Sequence, residues 1–288
     1  MKVLVTGAAG QLGSAICRLA PPDVELVQAD RGTLDITRAA DVLAALAGHR
    51  VQVVINCAAF TRVDAAEDEP EAAMAVNATG VRNVADAARQ TGARVLHFST
   101  DYVFAGDTGR PYRPDEPPNP VNQYGATKLA GERAVQASGA NSLILRTAWL
   151  YSTSISSFPG KILARLSRDG EVRVVDDQVG TPTSAAQLAA FTWQLVGRPE
   201  IGGCLHWTDG GVASWYDFAV AIAEEATLRG LLAPGARVEP VSSAGFPSRA
   251  RRPAFSVLDK HATSLTVGAV PLHWRQALRA MLEEGTHE

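Results

Sequence analysis

The sequence predicts an α/β protein built on a doubly wound parallel sheet, followed by a smaller mixed α/β domain. Three observations carry this reading. Short runs rich in Val, Ile and Leu alternate with longer Ala-rich stretches of helical period through the first half, the pattern of βαβ units. These apolar runs lack apolar/polar alternation, as strands covered on both faces do. A glycine-rich turn, Gly7 to Gly13, joins the first run to the first helical stretch.

Strands are expected at Lys2 to Thr6, Glu25 to Ala29, Val53 to Cys57, Arg94 to Ser99 and Ser142 to Arg146. Helices are expected between them at Leu12 to Leu19, Thr37 to Ala47, Glu71 to Arg89 and Tyr124 to Ala137, several opening near Asp, Thr or Asn. The proline-rich segment from Arg110 to Asn122 can continue neither element, because proline fixes φ and lacks an N–H donor. It reads as a loop over a site. After about Leu150 the pattern loosens, with helices at Lys161 to Ser167, Ser184 to Val196 and Trp215 to Glu225 and a strand at Val172 to Val175. A Pro/Gly/Ser-rich stretch then runs to Pro253, and a last helix is expected at Leu272 to Glu284. The expected division is a first domain over 1–150 and a second over 151–288, from which a segment can cross back.

The 288 residues, 46% of them hydrophobic and 20% charged, supply a sizeable core. A net charge of -3 and a pI of about 6.1 leave no basic footprint for nucleic acid or a membrane surface, which favours a small-molecule partner. The N-terminal apolar run meets Gly7 too soon for a leader or a membrane span, so it reads as a first strand of a cytoplasmic protein. Cys17, Cys57 and Cys204 are odd in number and widely spaced, and are expected to be reduced. The six histidines show no ligand spacing, so no metal is expected. Trp207, Trp215 and Trp274 read as core anchors.

Gly7, Gly10 and Gly13 allow a tight turn and let a pyrophosphate approach the N-terminus of the first helix, where N–H groups and the helix dipole stabilise an anion. Their spacing is G-x-x-G-x-x-G, not G-x-G-x-x-G, and a plain strand-to-helix turn is the competing reading. Asp30, ending the second strand, suits ribose hydroxyls or merely a strand-end turn, while the following Arg31 suits a 2′-phosphate. The choice between NADH and NADPH stays open.

Tyr124 and Lys128 stand at i and i+4 of a helix and project from one face. A free tyrosine titrates near ~10, and lowering it by ~2 to 3 units takes ~3 to 4 kcal/mol of preference for phenolate. A neighbouring ammonium and a charged nicotinamide are the expected sources. Ser99 and Thr100 end a buried strand at the carboxyl edge of the sheet, where a hydroxyl can bond a carbonyl oxygen that gains charge.

Thr6-Gly7-x-x-Gly10-x-x-Gly13, Ser99-Thr100-Asp101-Tyr102-Val103-Phe104 and Tyr124-x-x-x-Lys128 together resemble the extended short-chain dehydrogenase/reductases, and within them the dTDP-4-dehydrorhamnose reductases. Asp177-Gln178-x-Gly180-x-Pro182-Thr183 and Arg252-Pro253-x-x-Ser256 extend the likeness, which runs from the first strand to the last helix. The resemblance implies a Rossmann-like NAD(P)-binding domain, a mainly nucleotide-sugar-binding second domain, and reduction of the 4-keto group of dTDP-4-dehydro-β-L-rhamnose by NADPH or NADH. It makes Tyr124 the proton donor, Lys128 the holder of the nicotinamide ribose that depresses the Tyr124 pKa, and Thr100 a ligand of the substrate oxygen. It places Gly10, Gln11 and Leu12 on the pyrophosphate, Asp30 on the adenosine ribose, and Asp35 and Ile36 near the adenine. Ala59, Phe60, Thr61 and Phe98 line the cofactor path, and Asp101 and Trp149 touch the sugar. Asn77 either packs between helices or relays a proton to Lys128 through water.

Departures accompany the likeness. Ala15 stands where some relatives place a glutamate of a magnesium-bridged dimer, so no metal dimer is expected and a monomer or weak homodimer is. Ser157-Phe158-Pro159 and Phe255 replace common asparagine-containing segments in the substrate half. A 4,6-dehydratase or 4-epimerase shares the loop and the Tyr-Lys pair, but Asp101 and Tyr102 follow Thr100 where elimination requires a glutamate. A non-catalytic subunit of the methionine adenosyltransferase type is the remaining alternative.

Overall fold

Val3 and Val5 of the first strand, β1 (Lys2–Thr6), pack into one buried cluster and Leu4 into another, because successive strand side chains point to opposite faces. The computed structural model describes residues 1–246 and 248–284. After β1 come α1 (Gln11–Arg18), β2 (Glu25–Ala29), α2 (Ala39–His49), β3 (Val53–Asn56), α3 (Val63–Asp68), α4 (Pro70–Met74) and α5 (Val81–Thr91). β4 (Arg94–Thr100), α6 (Gln123–Ser138) and β5 (Ser142–Thr147) complete the first half. The second half holds β6 (Leu150–Tyr151), α7 (Phe158–Asp169), β7 (Glu171–Val175), β8 (Val179–Gly180), β9 (Thr183–Ser184), α8 (Ala185–Val196) and β10 (Gly203–His206). It ends with β11 (Ala213–Ser214), α9 (Trp215–Leu228), β12 (Arg237–Val241), α10 (His261–Val267) and α11 (Trp274–Glu284).

The main sheet is parallel throughout, in the order β10-β5-β4-β3-β1-β2. Val3, Val5, Ile55, Leu96 and Leu145 form one face with α1 and α8, through Ile16, Leu188 and Phe191. Leu4, Val54 and Val95 form the other with α2 and α5, through Val42, Leu46 and Val84. From β2 at the edge the chain crosses β1 to reach β3, so the loops after β1 and β3 part at a crevice above the carboxyl ends, the usual ligand position of such sheets. No helix among the described residues is long and apolar enough to cross a membrane.

Several elements differ from expectation: α3, α10 and the short strands β6, β8, β9, β11 and β12 were not foreseen, and two differences bear on the main sheet. The stretch Glu71 to Arg89 is not one α-helix, because a π-helical turn over Ala75–Gly80 separates α4 from α5. Here the Asn77 amide is committed to two other segments and its carbonyl faces Gly131 of α6, where any Cβ would collide with it. Such bulges admit an extra residue where a helix meets a tertiary demand. The short edge strand β10 was not foreseen; its glycine start and mixed polarity give no strand period.

In the second half β7 pairs with β12 in parallel, while α7, α9 and α11 enclose Tyr151, Phe218, Ile222, Trp274 and Leu278. Helix starts are capped as their sequences allow: Asn122 accepts from Gly125 N at 2.7 Å, and Ser214 and Asp217 form a reciprocal capping box.

Candidate active site

The turn after β1 is shaped by its glycines. Gly7 has φ 64°, and a Cβ there would stand 2.7 Å from Ala58 N on the loop after β3. A Cβ on Gly13 would collide with the Gly7 carbonyl. Gly10 N donates to Gly7 O at 2.9 Å, and Gly10 caps α1 with no side-chain acceptor. The first N–H groups of α1 therefore face an open cradle that fits a pyrophosphate. Leu12 is buried beneath this turn, and Gln11 Oε1 accepts from Ser152 Oγ at 2.9 Å, tying it to the segment after β6.

Asp30 lies beyond β2, beside that cradle. Its Oδ1 accepts from Gly32 N, Thr33 N and Thr33 Oγ1, which hold the carboxyl below its ordinary range. The strand-end turn thus engages Oδ1. Asp35 is likewise held low by the Thr37 hydroxyl and amide. The Ile36 side chain is buried against Gly80, and its carbonyl accepts from Asn83.

Ala59, Phe60 and Thr61 form the opposite bank, fixed by Asn77. The buried Asn77 side chain accepts from Phe60 N at 2.8 Å and donates to Phe60 O at 3.0 Å and to Thr127 Oγ1 at 3.1 Å. Of the two expected roles, its amide performs the packing one. Arg62 covers the Phe60 ring at 4.8 Å.

β4 and α6 bring Thr100, Tyr124 and Lys128 together. Thr100 Oγ1 accepts from Tyr102 N at 3.1 Å and donates to Asp101 Oδ1 at 3.0 Å, and the same hydroxyl stands close enough to the Tyr124 phenol to draw its pKa down. Gly125 permits this approach, since a Cβ there would strike Tyr102 O. Burial pushes the Tyr124 phenol up to about 12, outweighing the Thr100 hydroxyl that pulls it down. The expectation that Lys128 depresses Tyr124 does not hold for the protein groups alone, because Lys128 Nζ is turned to Phe98 O at 2.6 Å. Burial draws Lys128 down to about 8 against the opposing pull of Glu132. Burial also raises Asp101 to about 7, with Oδ2 enclosed and without a hydrogen-bond partner among the described residues.

Trp149 has φ 46°, a left-handed backbone for a bulky side chain, and stacks on Trp215 with centroids 3.6 Å apart and planes 5° apart. Trp207 and Trp274 are core anchors as expected. Trp215 is instead half-buried and walls a cavity of about 860 Å³ with Phe158 and Phe246. Lys161, Arg249 and Arg252 supply cations to the same cavity, and Arg252 pairs with Asp64 at 2.7 Å while reaching the Tyr102 phenol. Nothing local in the sequence marks Trp215 as a site residue, while Asp64 lies in a segment, Asn56 to Glu67, that shares the family likeness but carried no role for it. Arg252 and Ser256 belonged to a noted motif but carried no role; Ser256 stands beside Asp101 and opposes the rise of its carboxyl.

Comparison with known proteins identifies similar sequences and folds. The family model described as "RmlD substrate binding domain" matches residues 1–287. A dTDP-4-dehydrorhamnose reductase of Streptomyces griseus is 45% identical over 96% of this chain and 91% of its own. A probable dTDP-4,6-dihydroxy-2-methyloxan-3-one 4-ketoreductase of Streptomyces antibioticus is 42% identical over 97% of this chain and 94% of its own. The crystal structure of dTDP-4-dehydrorhamnose reductase from Bacillus anthracis in complex with NADP superposes with a TM-score of 0.93 at 34% identity, covering 98% of this chain and 99% of that one. With matches of this extent on both sequence and fold, the chain belongs to the RmlD family, that of the dTDP-4-dehydrorhamnose reductases.

Proposed function

We propose that the chain is an oxidoreductase of deoxysugar biosynthesis that reduces the 4-keto group of dTDP-4-dehydro-β-L-rhamnose to dTDP-β-L-rhamnose with NADPH or NADH. The carrying observation is the meeting of the Thr100 and Tyr124 hydroxyls at the carboxyl edge of the sheet, beside the uncapped N-terminus of α1. The nicotinamide cofactor supplies the hydride when bound.

Tyr124 acts as the proton donor. With its phenol near 12, the group is fully protonated at neutral pH, the form a reduction needs when the ketone oxygen becomes an alkoxide. Thr100 turns its hydroxyl from Asp101 Oδ1 to the same oxygen and holds it in line with Tyr124. Lys128 exchanges Phe98 O for the ribose hydroxyls. Gly7, Gly10, Gln11, Leu12 and Gly13 take the pyrophosphate, and Asp30 the adenosine ribose. Asp35, Ile36, Ala59, Phe60, Thr61 and Phe98 form the rest of the cofactor path, and Asp101 and Trp149 contact the sugar.

The cofactor is assigned to residues 1–150 and the dTDP-sugar mainly to 151–288, with α8 and β10 crossing back to the sheet. The 860 Å³ cavity suits the dTDP end, its aromatic wall facing the base and Arg249 and Arg252 facing the diphosphate. The same reading takes the chain as a monomer or weak homodimer in the cytoplasm, without nucleic-acid or membrane partners; the net charge of -3, which leaves no basic footprint, supports the last point.

Incubation with dTDP-4-dehydrorhamnose and either NADPH or NADH, following loss of reduced nicotinamide absorbance, tests the proposal. Absence of turnover with both cofactors in a folded preparation rejects it.

A further inference from the structure

Glu132 and Arg146 form an ion pair whose side chains are only 1% and 4% exposed. Arg146 donates through Nη2 to Oε2 at 2.7 Å and through Nε to Oε1 at 2.9 Å. The Ser99 hydroxyl donates to the same Oε1 at 2.5 Å. Arg146 Nη1 reaches Pro114 O and His206 Nε2, each at 3.3 Å, and the guanidinium lies over the Phe104 ring at 5.1 Å. Removing two charges from water costs about what their attraction returns, so packing alone would be served as well by an apolar pair.

The partners of this pair explain its use better than stability does. Ser99 immediately precedes Thr100 on β4. Glu132 lies one helical turn beyond Lys128, which lies one turn beyond Tyr124. Pro114 belongs to the proline-rich loop that leads into α6. One buried guanidinium thus joins β4, β5, α6 and the loop feeding the catalytic helix.

We propose that Glu132, clamped by Arg146, is a positioning residue for the reduction: it registers α6 against β4 so that the Tyr124 and Thr100 hydroxyls meet, and it sets a carboxylate one turn from the Lys128 ammonium. This role rests on the reductase reading and adds a residue that touches neither substrate nor cofactor. Three groups besides Tyr124 face Lys128. Glu132 of its own helix favours its charge. Cys57, after β3, is a thiol pushed up by burial and so uncharged. His97 of β4 is held neutral by burial and by Lys128 itself, with Nδ1 accepting from Asn56 Nδ2. Glu132 is therefore the charged neighbour that keeps the ammonium form.

The test compares wild type, Glu132→Gln and the double variant Glu132→Leu/Arg146→Met, which removes the pair without stranding a charge. Each is checked for folding by thermal melting and assayed with dTDP-4-dehydrorhamnose and NADPH across pH. The folded variants should lose about 10- to 100-fold in kcat with KM for the sugar nearly unchanged, because the reacting groups are misplaced while the cavity is intact. The alkaline limb of kcat/KM should move down by about one pH unit as Lys128 loses its carboxylate neighbour. If Glu132→Gln fails to fold, the double variant decides on the same readouts. An inactive wild type overturns the reductase reading and this proposal with it. An active wild type beside a folded variant of equal kcat and equal pH profile overturns the role of Glu132 alone.

Discussion

Trp149 and Trp215 stack face to face at 3.6 Å between centroids, joining the segment that leaves the main sheet to the first residue of α9. Gly180 lies against the Trp149 indole so closely that a Cβ would stand 2.7 Å from its Nε1. The stack ties Trp149 to the wall of the 860 Å³ cavity, and on the proposed reading it links the residue assigned to the sugar with the cavity assigned to the dTDP end.

Trp215→Ala should therefore weaken the substrate and spare the cofactor. An aromatic pair is worth about 0.5–1.5 kcal/mol beyond its buried area, which corresponds to about a 2- to 10-fold rise in KM for the dTDP-sugar. Steady-state titration of both substrates checks this. A rise confined to KM for NADPH would contradict the placement of Trp215.

Tyr124→Phe should lower kcat by about 10²- to 10⁴-fold, the usual contribution of a positioned acid, while NADPH affinity stays within about twofold. Lys128→Ala should impair both. Fluorescence titration of NADPH beside turnover separates these outcomes, and undiminished turnover in Tyr124→Phe would remove it as the proton donor.

The pH profile should identify which member of the pair titrates. Tyr124 sits near 12 and Lys128 near 8, so the alkaline limb of kcat/KM belongs to the lysine and begins near pH 8. Activity that persists unchanged to pH about 10 would show that Lys128 is charged throughout.

Stability should fall between mildly acidic and neutral pH because of two buried carboxyls. Burial raises Asp101 and Asp209 to about 7. The folded protein keeps protons that the unfolded chain releases near pH ~4, so their contribution is complete below that value and is lost as pH rises through about 7. Asp101→Asn removes one titration and should flatten the fall in urea midpoint between pH about 4 and about 8. A slope equal to that of the wild type would show that Asp101 is ionised in the fold.

Gly13→Ala should abolish cofactor binding and cost about 1–3 kcal/mol of stability, because the new methyl meets the Gly7 carbonyl and must displace the turn. Isothermal titration with NADPH and a denaturant melt read the two effects. Wild-type affinity in this variant would show that the turn yields without loss of the cradle.

The order of the main strands' sequences and their limits were legible from residues alone. Val, Ile and Leu runs bounded by glycine or polar residues locate β1 to β5 to within a residue, since strands covered on both faces are apolar on both, while the edge strand β2, only partly buried, keeps only a short apolar run. The glycine turn and the helical spacing of Tyr124 and Lys128 are equally local, being set by backbone sterics and the helix repeat. What touches across the chain was not. The π turn at Asn77 arises because Phe60 and Thr127 claim its amide, and no nearby residue announces them. β10 becomes a strand by pairing with β5, although its own residues lack the period. The Tyr124 proton shows the division most plainly. Sequence spacing brings a lysine beside it and predicts a lowered pKa, whereas the enclosing fold removes water from the phenol and raises it. Desolvation depends on everything packed around a group, so only the tertiary structure shows that burial raises the Tyr124 pKa among the protein's own groups.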